Sequence, residues 1–211
     1  MPNFFNPLHQ PVPPTFQSQD SALSDACPTL VPPFPTNLPY PSFVRLPQSP
    51  PQKITAAQPR TFPAAPIIFE LIGAPSRGMG VPMRELVVRS GCALERMLVG
   101  AAEHVGATMG KALRVVRIRL VISWPGYEHV DWSSSIELFT SSGPLTRGQL
   151  AVDIANAFHS FVMKSSTYPP SPLAYDWRTS TGGISFDRLV LLACWNVHDD
   201  VWMADVFVDR R

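Results

Sequence analysis

Nineteen of the chain's 24 prolines lie in its first 82 residues, and the other five are spread over the remaining 129. Proline has no backbone N–H, holds φ near about −65°, and drives the residue before it out of the helical region. Neither a helix nor a sheet ladder propagates through such a stretch. Residues 1–66 are therefore expected to form a disordered Pro-rich tail, and residues 67–211 a single domain. The tail carries Arg45, Lys53 and Arg60 against Asp20 and Asp25, so charge repulsion is not what would hold it open. It also carries Phe4, Phe5, Phe16, Phe34, Tyr40, Phe43 and Phe62. Aromatic residues are scarce in segments that only solvate a linker, so these read as docking points.

The PxxP spacing recurs at Pro11 to Pro14, Pro32 to Pro35, Pro47 to Pro50 and Pro63 to Pro66. A polyproline helix presents every third residue to an aromatic-lined groove at small entropic cost. Arg60-Thr-Phe-Pro63-Ala-Ala-Pro66 places a basic residue three positions before the first proline, as in the ligands that SH3 domains read. Arg60, Pro63 and Pro66 are thus candidate partner-binding residues.

Lys and Arg total 17 and Asp and Glu 16, a formal charge of +1. No general affinity for polyanions follows. No apolar run approaches the roughly 20 residues of a membrane span, and the start lacks the basic and apolar regions of a secretory signal. Cys27, Cys92 and Cys194 are few and widely spaced, which fits a reducing compartment. An intracellular protein, cytoplasmic or nuclear and not in a membrane, is expected.

Beyond the tail, Ile67 to Ile72 suits a short strand. The glycines at 73, 78 and 80 make a loop, but not a phosphate loop: Met79 and Gly80 stand where Lys and Ser or Thr are needed. Met83 likewise replaces the third glycine of a dinucleotide fingerprint. From Ser90, the apolar residues Leu94, Met97, Leu98, Ala101 and Val105 recur at helical spacing, predicting a helix. Leu113 to Trp124 alternates, with Ile118, Leu120 and Ile122 on one face and Arg117 and Arg119 on the other. Trp124-Pro-Gly-Tyr127 suits a type II turn, and Val130 to Thr140 resumes the alternation, completing a hairpin-like pair. Thr146 and Gln149 form a capping box before the apolar stripe Leu150, Ile154, Ala157, Phe158 and Phe161. Leu189 to Trp195 is continuous enough for a strand covered on both faces, and Val201 to Val208 makes the last strand. The fold class is α+β, an antiparallel sheet of about four to five strands packed with two helices.

Several of these pieces together resemble a family of uncharacterised proteins from mushroom-forming (basidiomycete) fungi. They are Arg117-Ile-Arg-Leu leading to Trp124-Pro-Gly-Tyr-Glu128, Leu145-Thr-Arg-Gly-Gln-Leu150, Leu189-Val-Leu with Asn196-Val197, and Trp202-Met-Ala-Asp205. The resemblance covers about residues 112–209. No activity is assigned to that family, so the resemblance implies none for this chain.

The polar trio His198-Asp199-Asp200 could coordinate a metal or supply a general base. It also has the composition of an ordinary hairpin turn. A strand separates Cys194 from it by about 13 Å, and the apolar run around Cys194 disfavours a thiolate. Cys92 lies near a predicted helix N-terminus, where a thiol pKa falls. Lys111, Arg114, Arg117 and Arg119 gather positive charge on one segment, a pattern that single-stranded nucleic acid can use. Trp177 departs from the core alternation of the other tryptophans. With Tyr175 and Arg178 it has the composition of an interface hot spot.

The resulting expectation is a non-enzymatic protein-interaction module. Its Pro- and aromatic-rich arm recruits protein partners, and Tyr175, Trp177 and Arg178 supply a second contact. No catalytic, cofactor-binding or metal-binding residue is assigned, and the reading leans against an enzyme. The alternative is a small hydrolase or metal-dependent enzyme using His198, Asp199 or Asp200 with His129 or His159. A further, less favoured alternative is single-stranded nucleic-acid binding through Arg114, Arg117 and Arg119.

Overall fold

The computed structural model describes residues 41–49, 65–75, 78–106, 116–198 and 200–211, all within the compact unit Pro32–Arg211. In chain order its strands begin with β1 (Phe43–Arg45), β2 (Ile67–Ile68) and β3 (Val81–Pro82). Two short helices follow, α1 (Met83–Val88) and α2 (Cys92–Glu95), then β4 (Arg117–Ile122) and β5 (Trp132–Glu137). A small separate pair, β6 (Phe139–Thr140) and β7 (Gly143–Pro144), leads into the long helix α3 (Arg147–Ser165). Strands β8 (Leu189–His198) and β9 (Val201–Asp209) close the order.

The sheet is built around the β8–β9 hairpin. Strands β2 and β3 share the outer edge of β8, pairing Ile67 with Cys194 and Val81 with Leu191. On the other side, β1 and β4 share the outer edge of β9, pairing Val44 with Val208 and Leu120 with Trp202. Strand β5 then pairs with β4 and ends the sheet. The expected antiparallel sheet of four to five strands is corrected: seven strands take part, and β4 runs parallel to β9. The two additional strands, β1 and β3, are three and two residues long, too short to carry a period. Parallel pairing is open to β4 and β9 because they lie far apart in the chain, with no hairpin to impose opposite directions.

The apolar run in β8 is continuous because both faces of this hairpin are buried. Its register slips between Leu191 and Ala193, leaving Leu192 as an extra residue. A β-bulge of this kind reverses the alternation. Leu189 and Leu191 before the bulge and Cys194 after it therefore face the main core. Val190, Leu192 and Ala193 join Phe43 and Phe207 in a second apolar cluster.

Helix α3 packs over β4 and β5 with the predicted stripe, Leu150, Ile154, Ala157, Phe158 and Phe161, buried. Its capping box forms as the sequence requires. The Gln149 N–H donates to Thr146 Oγ1 (3.3 Å), and the Thr146 N–H donates to Gln149 Oε1 (3.0 Å).

The helix expected from Ser90 is not continuous. Cys92–Glu95 is helical, and turns follow, with Gly100 at φ +65°, before helical backbone resumes at Val105. The backbone of residues 70–72 explains the break. The Ile72 N–H donates to Met97 O and the Val99 N–H donates to Glu70 O (2.8 and 2.9 Å), removing those groups from a helical ladder. Leu94, Leu98, Ala101 and Val105 are nevertheless buried, because a series of tight turns keeps nearly the same period.

The boundary at residue 66 also needs revision. Phe43-Val-Arg45 stands between Pro41 and Pro47 and adds to β9, where edge positions tolerate proline neighbours. Arg45 then forks onto Asp205, its Nε and Nη2 donating to the two carboxylate oxygens at 2.7 and 2.6 Å. Asp205 is 2% exposed, so this pair neutralises a charge inside the sheet. Gln48 continues the docking, its Nε2 donating to Ala204 O. Among the described residues, no helix is long and apolar enough to cross a membrane.

Candidate functional site

The segment around Tyr175, Trp177 and Arg178 rests on an aromatic cluster centred on Phe161. Trp124, Tyr127 and Trp132 surround that ring at centroid distances of 5.5, 6.4 and 5.9 Å. Trp124 and Tyr127 are held by the expected turn: the Tyr127 N–H donates to Trp124 O (3.0 Å), and Gly126 has φ +84°. Glycine suits this position twice over, since a Cβ there would also sit 3.0 Å from the Ala174 methyl. The Ser171 N–H donates to Gly126 O (2.9 Å), and the Trp124 indole N–H donates to Trp177 O (2.7 Å). A buried polar chain adds to this base. Thr179 donates its N–H (3.0 Å) and its hydroxyl (3.1 Å) to Tyr127 Oη, and its Oγ1 lies 2.9 Å from Ser165 Oγ.

Two arginines brace the segment from other directions. Arg210, just past β9, stacks 4.6 Å over the Trp177 ring, and its Nη1 donates to Asp176 O (2.9 Å). Arg178 lies 4.2 Å over the Tyr175 ring, and its Nη2 donates to Gly182 O (3.1 Å). The Ile184 N–H donates to Arg178 O (2.7 Å), and a Cβ on Gly183 would overlap that same oxygen. A pair of 3₁₀ turns, Pro172–Trp177, kinked at Ala174 (φ −123°), is thereby fixed at both ends. Its tip points outward: Leu173 is fully exposed and Tyr175 is 58% exposed.

The three residues selected from composition thus come together, in different positions. Tyr175 and Arg178 stack at the surface, while Trp177 is half-buried against the main core. Leu173 escaped the sequence reading. Its only signal was an apolar residue outside any periodic pattern, in the run Ser171-Pro-Leu173. Arg210 escaped too, because 33 positions separate it from Trp177 in the chain. Of the tail candidates, Pro66 is half-buried directly before β2, and Arg60 and Pro63 lie outside the described residues.

The remaining candidates are dispersed. His198 ends β8 opposite Val201, and Asp200 lies in the hairpin turn, while Asp199 is outside the described residues. His129 stacks on Tyr127 and meets Tyr168 edge-on, and His159 packs on Phe186 with centroids 4.9 Å apart. Cys194 is fully buried, and burial pushes its thiol far up from the ordinary range. Cys92 is exposed. No group of three or more His, Cys, Asp or Glu side chains among the described residues could hold a metal ion. On β4, Arg117 and Arg119 are exposed as the alternation predicts, with Arg117 3.7 Å from Glu137. Lys111 and Arg114 lie outside the described residues. Comparison with protein-family models, with curated proteins and with solved structures finds no match to this chain.

Proposed function

We propose that the protein is a non-enzymatic interaction module and that the Pro172–Arg178 segment is one of its contact surfaces. The observation that carries this reading is the fully exposed Leu173 beside Tyr175 on a braced turn. A rigid apolar tip loses little conformational entropy when it enters a partner's pocket, so more of its burial appears as affinity. Tyrosine and arginine are enriched among interface hot spots, and here Arg178 holds the Tyr175 ring in place. Trp177 serves this surface from below as an anchor. The Pro-rich arm, with Arg60, Pro63 and Pro66, is the second contact in this proposal. Kinship with the basidiomycete family also belongs to the proposal, and adds no activity to it.

The test compares proteins that co-purify from native extract with the full chain and with two full-length variants. One carries Leu173→Ser with Tyr175→Ala, the other Arg60→Ala with Pro63→Ala. Full-length variants are needed because removing residues 1–66 would also remove β1 and Arg45. A partner retained by the parent chain and lost from the first variant supports the turn; one lost from the second supports the arm. An identical set of proteins on all three chains would refute the reading.

A further inference from the structure

Strand β5 pairs with β4 along all six of its residues and is the last strand of the sheet on that side. Among the described residues, no strand pairs with its other edge. In an antiparallel ladder only alternate residues bond to a given neighbour, and the rest turn their N–H and C=O groups the opposite way. Such an edge is a template for another strand, and proteins usually blunt it with lysine, proline or a bulge. Trp132-Ser-Ser-Ser-Ile-Glu137 has neither lysine nor proline, and its register with β4 runs without a shift.

Beside this edge lies a groove of about 410 Å³ between β5 and α3. Asp153, Asn156 and Ser160 line its helix side. Their spacing of three and four places them in one polar stripe. Glu137 lines the strand side, and no basic residue lines the groove among the described residues. Glu137 has Arg117 nearby, at 3.7 Å. Asp153 has no such partner among the described residues, and burial holds its carboxyl above the usual range.

We propose that this edge takes an extended segment of a partner protein as an eighth strand, with a Lys or Arg of that segment set against Asp153. Six residues of strand span about 20 Å, enough for main-chain hydrogen bonds to supply affinity while alternate side chains supply selectivity. Side chains on one face of an added strand repeat about every 7 Å, and the stripe from Asp153 to Ser160 rises about 10 Å along the helix. Two consecutive groove-facing side chains therefore fit: the basic one at Asp153, and a small polar one toward Asn156 and Ser160. A second copy of this chain is the wrong occupant, because it would bring two acidic grooves together, like charge against like.

The test uses the full chain and a fluorescent nine-residue peptide of alternating Thr and Val with a central Lys, read by anisotropy. Saturable binding is expected, falling at least about tenfold when the Lys is replaced by Glu or when alternate peptide amides are N-methylated. Asp153→Lys is expected to reverse the preference, rejecting the Lys peptide and binding the Glu peptide, which would also show that the variant is folded. The methylated and unmethylated peptides on the parent chain decide the matter if that variant does not fold. Absence of saturable binding would overturn the proposal, as would indifference to N-methylation or self-association of the chain that the peptide reverses. The Leu173→Ser, Tyr175→Ala variant should bind the peptide unchanged, so this result and that of the exposed turn are independent.

Discussion

The two hairpins of the sheet differ in what their sequences allow. Strands β8 and β9 are apolar almost without interruption, and both of their faces are buried. Strands β4 and β5 alternate: Ile118, Leu120 and Ile136 turn inward, and Arg117, Arg119, Ser133, Ser135 and Glu137 meet water. One hairpin has nearly every side chain committed to packing. The other has one face and one edge left over. If the open edge acts as proposed, stability and recognition are divided between strands that lie side by side, and surface change is tolerated in only one of them.

Substitutions should separate the two regions by size of effect. Leu191→Ala, at a fully buried position of β8, should cost about 3–5 kcal/mol in denaturant unfolding. A loss below about 1 kcal/mol would show that the hairpin's interior is loosely packed. Arg45→Ala leaves the Asp205 carboxylate in the sheet without its cation, and should cost about 3 kcal/mol. A near-neutral result would detach β1 from the fold. On the other side, Asp153→Asn should change stability in a pH-dependent way. Burial raises the Asp153 carboxyl above 3.8, so the native state favours the protonated form. That contribution is present below pH 3.8 and is lost as pH rises through the raised value. The asparagine variant should therefore have the higher melting temperature at neutral pH, with the gap closing in acid; a gap that widened in acid would mean Asp153 has a cationic partner. Smallest of all, Ser133→Thr on the open strand should move stability by no more than about 0.5 kcal/mol.

The parts of the fold that could be read in advance are those whose sequence repeats. Period two marks β4 and β5, the unbroken run of Leu189 to Trp195 marks β8, and Thr146 with Gln149 announces the start of α3. Strands β1 and β3 could not be read, because two or three residues contain no period and Pro41, Pro47 and Pro82 argue against them locally. The stretch after Ser90 misleads for the opposite reason. Its apolar spacing is helical, but hydrogen bonds from residues 70–72 decide its backbone. At the candidate surface, composition alone brought out Tyr175, Trp177 and Arg178. Their division of labour was not legible, since Trp124 and Arg210 set it from distant parts of the chain.

The attachment of β1 to β9 also imposes an order in time. Arg45 and Asp205 are 160 positions apart, which at about 5–20 residues per second is roughly 8–32 s of translation. For that interval β1 has no edge to join, β4 lacks its parallel neighbour, and the hairpin on which both depend is still unmade. The sheet is therefore completed only once residue 209 has left the ribosome, and before then β4 and β5 have only each other to pair with. Refolding from denaturant presents all seven strands together, so there the β4–β5 pair has no head start over β8 and β9.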